Sequence, residues 1–226
     1  MLPNFFVIYK PKDTLSGDIY WFAEKDGKQI IAAIDCTGHG VPGALMSMTV
    51  HGILQQIVFE KNITQPNLIL NELHDGIRYT LKQDYTKTND GLDISLISYD
   101  QISKKLAFSG AKNSLIYIQD NHLTEVRGDR VSVGGIEEGK ERNFTLHSLT
   151  LEKDTHIYLS SDGYQDQFGI NGKKFMKKCF KEKLLEFHNL PLEYQKNELE
   201  TTLTNWMQDT EQIDDILVIG LLIHVN

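Results

Sequence analysis

Cysteine is scarce. Cys36 and Cys179 are the two in 226 residues, far apart and in no metal-ligand spacing. That excludes a disulfide framework and makes a reducing compartment, the cytoplasm, the expected location. Basic charge is also short, with 23 Lys and Arg against 31 Asp and Glu and a net charge of -8. Nucleic acid is therefore not an expected partner, because phosphate backbones need clustered Lys and Arg. No apolar run approaches the ~18–20 residues of a membrane span, so no membrane insertion is expected. Met1-Leu2-Pro3-Asn4 lacks the positive start of a signal peptide. Internal repeats and low-complexity tracts are absent as well. What is present is an ordinary globular composition, 40% hydrophobic and 24% charged. It can fill a core without disulfides or oligomerisation. One domain over residues 1–226 is the expected organisation.

Alternating apolar and polar residues predict strands at 5–9 and 19–23. The continuous run Ile30-Ile31-Ala32-Ala33-Ile34 reads as a fully buried strand. A helix follows the glycine loop 38–43, with Pro42 in its first turn and Leu45, Met48, Ile53, Leu54 and Ile57 at helical spacing. A second helix fits 66–81, with Leu68, Ile69, Leu73, Ile77 and Leu81 on one stripe. After a loop at 82–91, strands are expected at 93–99, 105–109, 114–119 and 122–126, with Asp120-Asn121 as a hairpin turn. Residues 127–142 read as a long surface loop. Strands at 143–149 and 156–160, helices at 173–187 and 191–208, and a last strand at 216–225 complete the chain. Strands in hairpin succession and helices in two pairs point to antiparallel sheets with helices outside, an α+β class.

The informative feature is where the aspartates fall. Asp35 ends the buried strand 30–34. The strand 156–160 runs into Ser161-Asp162-Gly163, Asp214-Asp215 open the last strand, and Gly17-Asp18 open an early one. Antiparallel pairing sets the end of one strand beside the start of its neighbour, so these four sites can gather at one rim. Clustered carboxylates repel and call for a compensating cation. Oxygen ligands with no His or Cys companions fit hard metals, Mg²⁺ or Mn²⁺. The bland alternative is that each Asp is a strand-end turn former bonding nearby backbone.

The stretch Asp35-Cys36-Thr37-Gly38-His39-Gly40-Val41-Pro42-Gly43-Ala44 imitates two other motifs. Gly38, Gly40 and Gly43 spell G-x-G-x-x-G between a strand and a helix, with Glu60 beyond, as in dinucleotide-binding proteins. That reading, a nucleotide-cofactor oxidoreductase, leaves Asp18, Asp162 and Asp214 without a role. A cysteine-phosphatase loop needs an Arg six residues after its Cys, and position 42 is Pro42. Cys36 also lacks a neighbouring cation in sequence to make it nucleophilic.

Taken in order, Ser16-Gly17-Asp18-Ile19-Tyr20, the segment from Asp35 to Pro42, Ser161-Asp162-Gly163 and Asp214-Asp215 resemble the SpoIIE-type bacterial phosphatases. These are a branch of the metal-dependent PPM (type 2C) serine/threonine phosphatases. The resemblance runs from about Phe5 to Val225, and Asp93 in Leu92-Asp93-Ile94 with the run Tyr164 to Gly169 resembles one subgroup. It implies a four-layer αββα sandwich of two antiparallel sheets flanked by helix pairs. It also implies a phosphoprotein phosphatase acting on phosphoserine or phosphothreonine with two Mn²⁺ or Mg²⁺ ions.

In that family pattern Asp35 bridges the metals and the Cys36 carbonyl binds one of them. Asp162 and Asp214 ligate the other, and Asp18 holds water at the centre. Asp93, His39 and Asp215 are supporting candidates. The family has Gly where this chain has Cys36, a change a carbonyl ligand tolerates, and its His lies two residues after the bridging Asp, whereas His39 lies four after. The phosphate calls for a basic residue, and Lys10, Lys12 and Lys112 are at hand, but each reads better as a solvated surface lysine than as the phosphate ligand. The implied setting is bacterial signalling, with a regulator akin to an anti-sigma-factor antagonist as substrate and a sensor or regulatory domain upstream. The rival within the same fold is a binding or scaffold module with a weakened metal site.

Overall fold

The computed structural model describes residues 4–135 and 142–225; positions 136–141 of the expected 127–142 loop lie outside them. Three strands open the chain: β1 (Asn4–Lys10), β2 (Asp18–Lys25) and β3 (Lys28–Cys36). Helix α1 (Gly40–Gln55) runs on through a π-helical turn, Gln56–Glu60, and is followed by α2 (Pro66–Thr80) and a single-turn α3 (Gln83–Thr86). Next come β4 (Gly91–Asp100), β5 (Lys105–Ala111), β6 (Leu115–Gln119), β7 (His122–Val126), β8 (Val133–Gly134), β9 (His147–Thr150) and β10 (Thr155–Ser160). The short α4 (Gly163–Asp166), α5 (Lys177–Phe187), α6 (Leu192–Met207) and β11 (Ile216–Ile223) close it.

Two sheets form, one in the order β1-β11-β10-β6-β7 and the other β2-β3-β4-β5-β9, with β8 added beside β4. Every pairing of named strands is antiparallel. A dinucleotide-binding fold needs parallel strands joined by helical crossovers, so the oxidoreductase reading of the glycine loop is excluded.

Three apolar layers explain the stacking. Ile30, Ala32 and Ile34 of β3 pack against Val50 and Leu54 of α1 and Ile69 and Leu73 of α2. Ile31 and Ala33, pointing the other way, meet Leu159, Leu217 and Ile219 between the sheets. Ile8, Tyr158 and Val218 turn outward onto Phe180 and Leu184 of α5 and Leu199 and Leu203 of α6. The order is therefore helices, sheet, sheet, helices. A strand buried on both faces needs no alternation, and this is why 30–34 reads as an unbroken apolar run.

Some local expectations need correction. Leu45 and Met48 of α1 are exposed, at 62% and 73%, and so is Leu68 of α2. The face turned inward carries Met46, Val50 and Leu54. Apolar residues occur nearly all round α1, so helical spacing alone does not choose the buried side. The strand expected at 143–149 begins only at His147, because Asn71 Oδ1 and Asp129 Oδ2 accept the N–H groups of Phe144 and Thr145 at 3.0 and 2.7 Å. Helix α5 starts at Lys177 and not at 173, since Met176 takes a left-handed φ of 76° that ends the preceding turn.

Candidate active site

The two-residue period of a strand carries the polar cluster into place. On β3, Ile31 and Ala33 face the other sheet, so Asp35 does too, at the end of the strand. Asp18 of β2 pairs with Asp35, and Asp35 pairs with Asp93 of β4. Three carboxylates thus form a row across three adjacent strands on the inner face. In the opposite sheet, Ile157 and Leu159 lead by the same period to Ser161, and Ile219 and Leu217 lead to Asp215. Asp162 sits at the N-cap position of α4, and Asp214 immediately precedes Asp215 at the head of β11.

Two hydrogen-bonded ties fix this end of the sandwich. Ser161 Oγ donates to Asp18 Oδ2 at 2.6 Å and accepts from Leu217 N at 3.0 Å, joining one sheet to the other. The buried Asp215 accepts from Lys12 N at 2.8 Å and Gly17 N at 2.7 Å, one bond on each oxygen. It clamps the segment that presents Asp18. Gly17 is demanded by close approach: a Cβ there would stand 2.4 Å from the Gly38 carbonyl oxygen and 3.0 Å from that of Cys36. The carbonyl of Cys36 therefore lies against the residue next to Asp18.

The electrostatics show charge without compensation. Burial pushes the Asp35 carboxyl up to about 9, reinforced by the charges of Asp18, Asp162, Asp214 and Asp93. Asp18 is pushed up to about 8, by burial first, against the Ser161 hydrogen bond and with Asp215, Asp214 and Asp162 raising it further. Asp162 rises to about 6 through burial and the charges of Asp166, Asp214 and Asp93, with Lys174 opposing. Mutual repulsion of this kind is what a divalent cation removes. Burial, with Asp35 and Asp18 nearby, raises the Cys36 thiol strongly. Its side chain lies in the helix-side core, so a thiolate nucleophile is excluded.

The structure thus brings Asp18, Asp35, Asp93, Asp162, Asp214 and Asp215 to one end of the molecule, but not in one capacity. Both Asp215 oxygens are taken by backbone N–H groups. Asp93 accepts from Ser132 Oγ at 2.6 Å and has Lys112 Nζ at 3.4 Å. His39 is not drawn in: it is half-exposed, with Nδ1 2.6 Å from Asp13 Oδ2 and Nε2 3.4 Å from Lys12 Nζ. Of the three lysines, Lys10 turns toward Glu200 at 3.9 Å, and Lys112 is the one beside the carboxylates. Sequence reasoning assigned no role to Ser161 or Ser132. A lone serine carries no pattern, and only the pairing of the sheets shows what it touches.

Among the described residues, no three His, Cys, Asp or Glu side chains converge closely enough to enclose an ion by themselves. Mg²⁺ keeps several of its waters and takes only one or two carboxylates directly. An all-oxygen donor set with raised carboxyl pKa values fits such hydrated hard cations and not Zn²⁺.

Comparison with known proteins places this geometry in context. The family model described as Stage II sporulation protein E (SpoIIE) matches residues 25–224. The phosphoserine phosphatase RsbP of Bacillus subtilis (strain 168) is 24% identical over 214 residues, 92% of this chain and 49% of RsbP. The chain spans about half the length of that curated relative. Among solved structures, the SiaA-PP2C domain of Pseudomonas aeruginosa superposes with a TM-score of 0.88 at 29% identity, covering 98% of this chain and 86% of that one. RsbX in complex with magnesium has a TM-score of 0.66 at 13% identity, over 97% of this chain and 94% of its own. At that identity the likeness is one of fold.

Proposed function

The chain belongs to the SpoIIE family, and from that membership we propose that it is a serine/threonine phosphoprotein phosphatase dependent on divalent cations. The observation that carries the reading is the row Asp18-Asp35-Asp93, in which, among the described residues, Asp93 alone has a cation beside it, joined by Asp162 and Asp214 at one end of a PP2C-like sandwich. Two Mg²⁺ or Mn²⁺ ions, when bound, supply water acidified toward neutral pH and neutralise charge on phosphoryl oxygens. Asp35, the Cys36 carbonyl, Asp162 and Asp214 would hold the ions. Asp18 would hold water beside them, and Ser161 orients the Asp18 carboxylate by its 2.6 Å hydrogen bond. Asp215 keeps the loop before Asp18 in register. The whole of residues 1–226 acts as one catalytic domain in this reading.

A phosphorylated regulatory protein in bacterial signalling is the proposed substrate class, and a sensor or regulatory segment is the proposed source of control. Magnesium in RsbX, a protein of the same fold, supports the choice of cation class. No described helix is long and apolar enough to cross a membrane.

The test is phosphate release from a phosphoserine peptide, with Mn²⁺ or with EDTA, for the parent and Asp35→Asn. Release by the parent that needs the cation and vanishes in Asp35→Asn is expected. A parent that releases nothing at any Mn²⁺ concentration leaves the rival, a binding or scaffold module of the same fold.

A further inference from the structure

Beside the acidic centre a concavity of about 550 Å³ opens between the β6–β7 hairpin, the turn at 127–130 and the start of α5. Six cationic side chains line it: Lys112, Arg127, Arg130, Lys177, Lys178 and Lys181. Glu125 and Asp129 are its acidic members. Six minus two leaves +4 in this one hollow, so the rest of the chain carries -12 of the total -8.

Both acids are already engaged. Glu125 holds Lys177 at 2.6 Å and Lys181 at 3.0 Å. Asp129 accepts from the backbone N and the hydroxyl of Thr145 at 2.7 and 2.9 Å. Arg127 and Arg130 are exposed and, among the described residues, form no ion pair. Cations gathered from three separate stretches of an acidic chain repel one another, and an anion relieves that repulsion.

The hollow shares a wall with the active site. Lys112 lines it, and its Nζ stands 3.4 Å from Asp93 Oδ2. We propose that this concavity receives an acidic segment of the phosphoprotein whose phosphoserine or phosphothreonine is hydrolysed at the carboxylate centre. The proposal rests on the phosphatase reading above and adds a substrate preference to it. Arg guanidinium forks match carboxylates bidentately, and Lys ammonium groups add point charge. A nucleic acid would extend past the hollow onto a chain whose remaining residues carry -12 in all. A membrane surface needs cations displayed outward beside an apolar face, whereas these line a recess.

Contacts made by Arg127 and Arg130 to the flanking segment, not to the phosphoryl group, bind substrate and transition state alike, so they act on KM and not on kcat. The test uses the full chain with Mn²⁺ and two phosphoserine peptides of equal length, one flanked by Asp and Glu and one by Ala and Gly. p-Nitrophenyl phosphate is the small ester without flanks. The parent should show the lower KM for the acidic peptide, with an advantage that fades as salt is raised. In Arg127→Glu/Arg130→Glu, KM for that peptide should rise about tenfold, while kcat and p-nitrophenyl phosphate hydrolysis stay at parental values. Arg127→Gln/Arg130→Gln should fall between.

A fluorescein-labelled acidic peptide, unphosphorylated and titrated by anisotropy in EDTA, should weaken in parallel. Equal KM for the two peptides, or no response to charge reversal, overturns the proposal. So does displacement of the labelled peptide by an RNA oligomer or phosphatidylserine vesicles more readily than by acidic peptide. If the parent fails to hydrolyse p-nitrophenyl phosphate, the phosphatase reading falls, and the anisotropy titration still decides whether the hollow takes acidic segments.

Discussion

Midway along the sandwich, the layer between the sheets holds Ile31, Ala33, Ile97, Leu159 and Ile219. At its end the same strands place Asp35, Asp93, Ser161 and Asp215 in the same layer. Along β4 the change comes in steps of two, from Ile97 through Ser95 to Asp93, and along β3 from Ile31 through Ala33 to Asp35. Strand alternation delivers side chains to the interior without regard to their chemistry. In the middle each buried aliphatic contributes about 1.5–3 kcal/mol. At the end, burial works against folding and lifts carboxyl pKa values to about 9, 8 and 6 for Asp35, Asp18 and Asp162. The middle stabilises a scaffold rigid enough to hold an end that repels itself.

Exchanging the two chemistries breaks the comparison most severely. Ile31→Asp puts a carboxylate into the apolar layer between the sheets, at a position 1% exposed. The cost is about 3–5 kcal/mol, a large part of the roughly 5–15 kcal/mol a domain has. Urea unfolding should show a protein that is largely unfolded or close to it. The converse change, Asp35→Asn, removes a carboxyl that the metal-free fold has to protonate. Its metal-free form should melt higher than the parent, by about 2 kcal/mol or roughly 4–8 °C, while cation-dependent phosphate release is lost. A melting point that drops instead would mean that Asp35 is already balanced within the fold.

The same contrast predicts a pH profile. Asp162, Asp18 and Asp35 have folded pKa values above the ordinary carboxylate range, near 6, 8 and 9. The fold therefore favours their protonated forms. Their contribution is fully present below the unfolded pKa near 4 and is lost as pH rises through about 6 to 9. Melting temperature in EDTA should fall across that window. Mn²⁺ or Mg²⁺ should restore it, with a gain that grows with pH.

Glu125 has the opposite sign. Burial raises its pKa, but Lys177 and Lys181 outweigh that and bring it to about 2. Its contribution is present above about 4.5 and is lost only as pH falls toward 2.

Much of this end of the molecule was legible in the sequence. Asp18, Asp35, Asp162 and Asp214 each abut a strongly apolar strand, and antiparallel pairing then forces strand ends together. The elements were legible for the same reason, since β2, β3, β4, β10 and β11 are long and strongly patterned. The rest depends on partners distant in sequence. Asp215 looks like its neighbour Asp214, yet its oxygens are used by Lys12 and Gly17, about 200 positions away. His39 sits in the motif but turns to Asp13. The basic hollow draws on positions 112, 127, 130 and 177–181, and only the last group is a visible cluster.

The mildest intervention acts on the boundary itself. Ser161 is the first polar residue on the inner face beyond Leu159, and it is the bond by which one sheet aims a carboxylate of the other. Ser161→Ala extends the apolar layer by one step. It frees one oxygen of Asp18 and leaves Leu217 N without its side-chain acceptor. A partner that orients a metal-site carboxylate is typically worth about 10–100-fold in metal affinity or activity. Because Asp18 keeps its charge and its place on β2, the low end is expected: about tenfold more Mn²⁺ for half-maximal phosphate release, with most of the maximal rate retained at saturation. Ser161→Thr, which restores the hydroxyl, should recover the parental Mn²⁺ dependence. If Ser161→Ala lowers the melting temperature and leaves that dependence untouched, Ser161 joins the sheets without aiming Asp18.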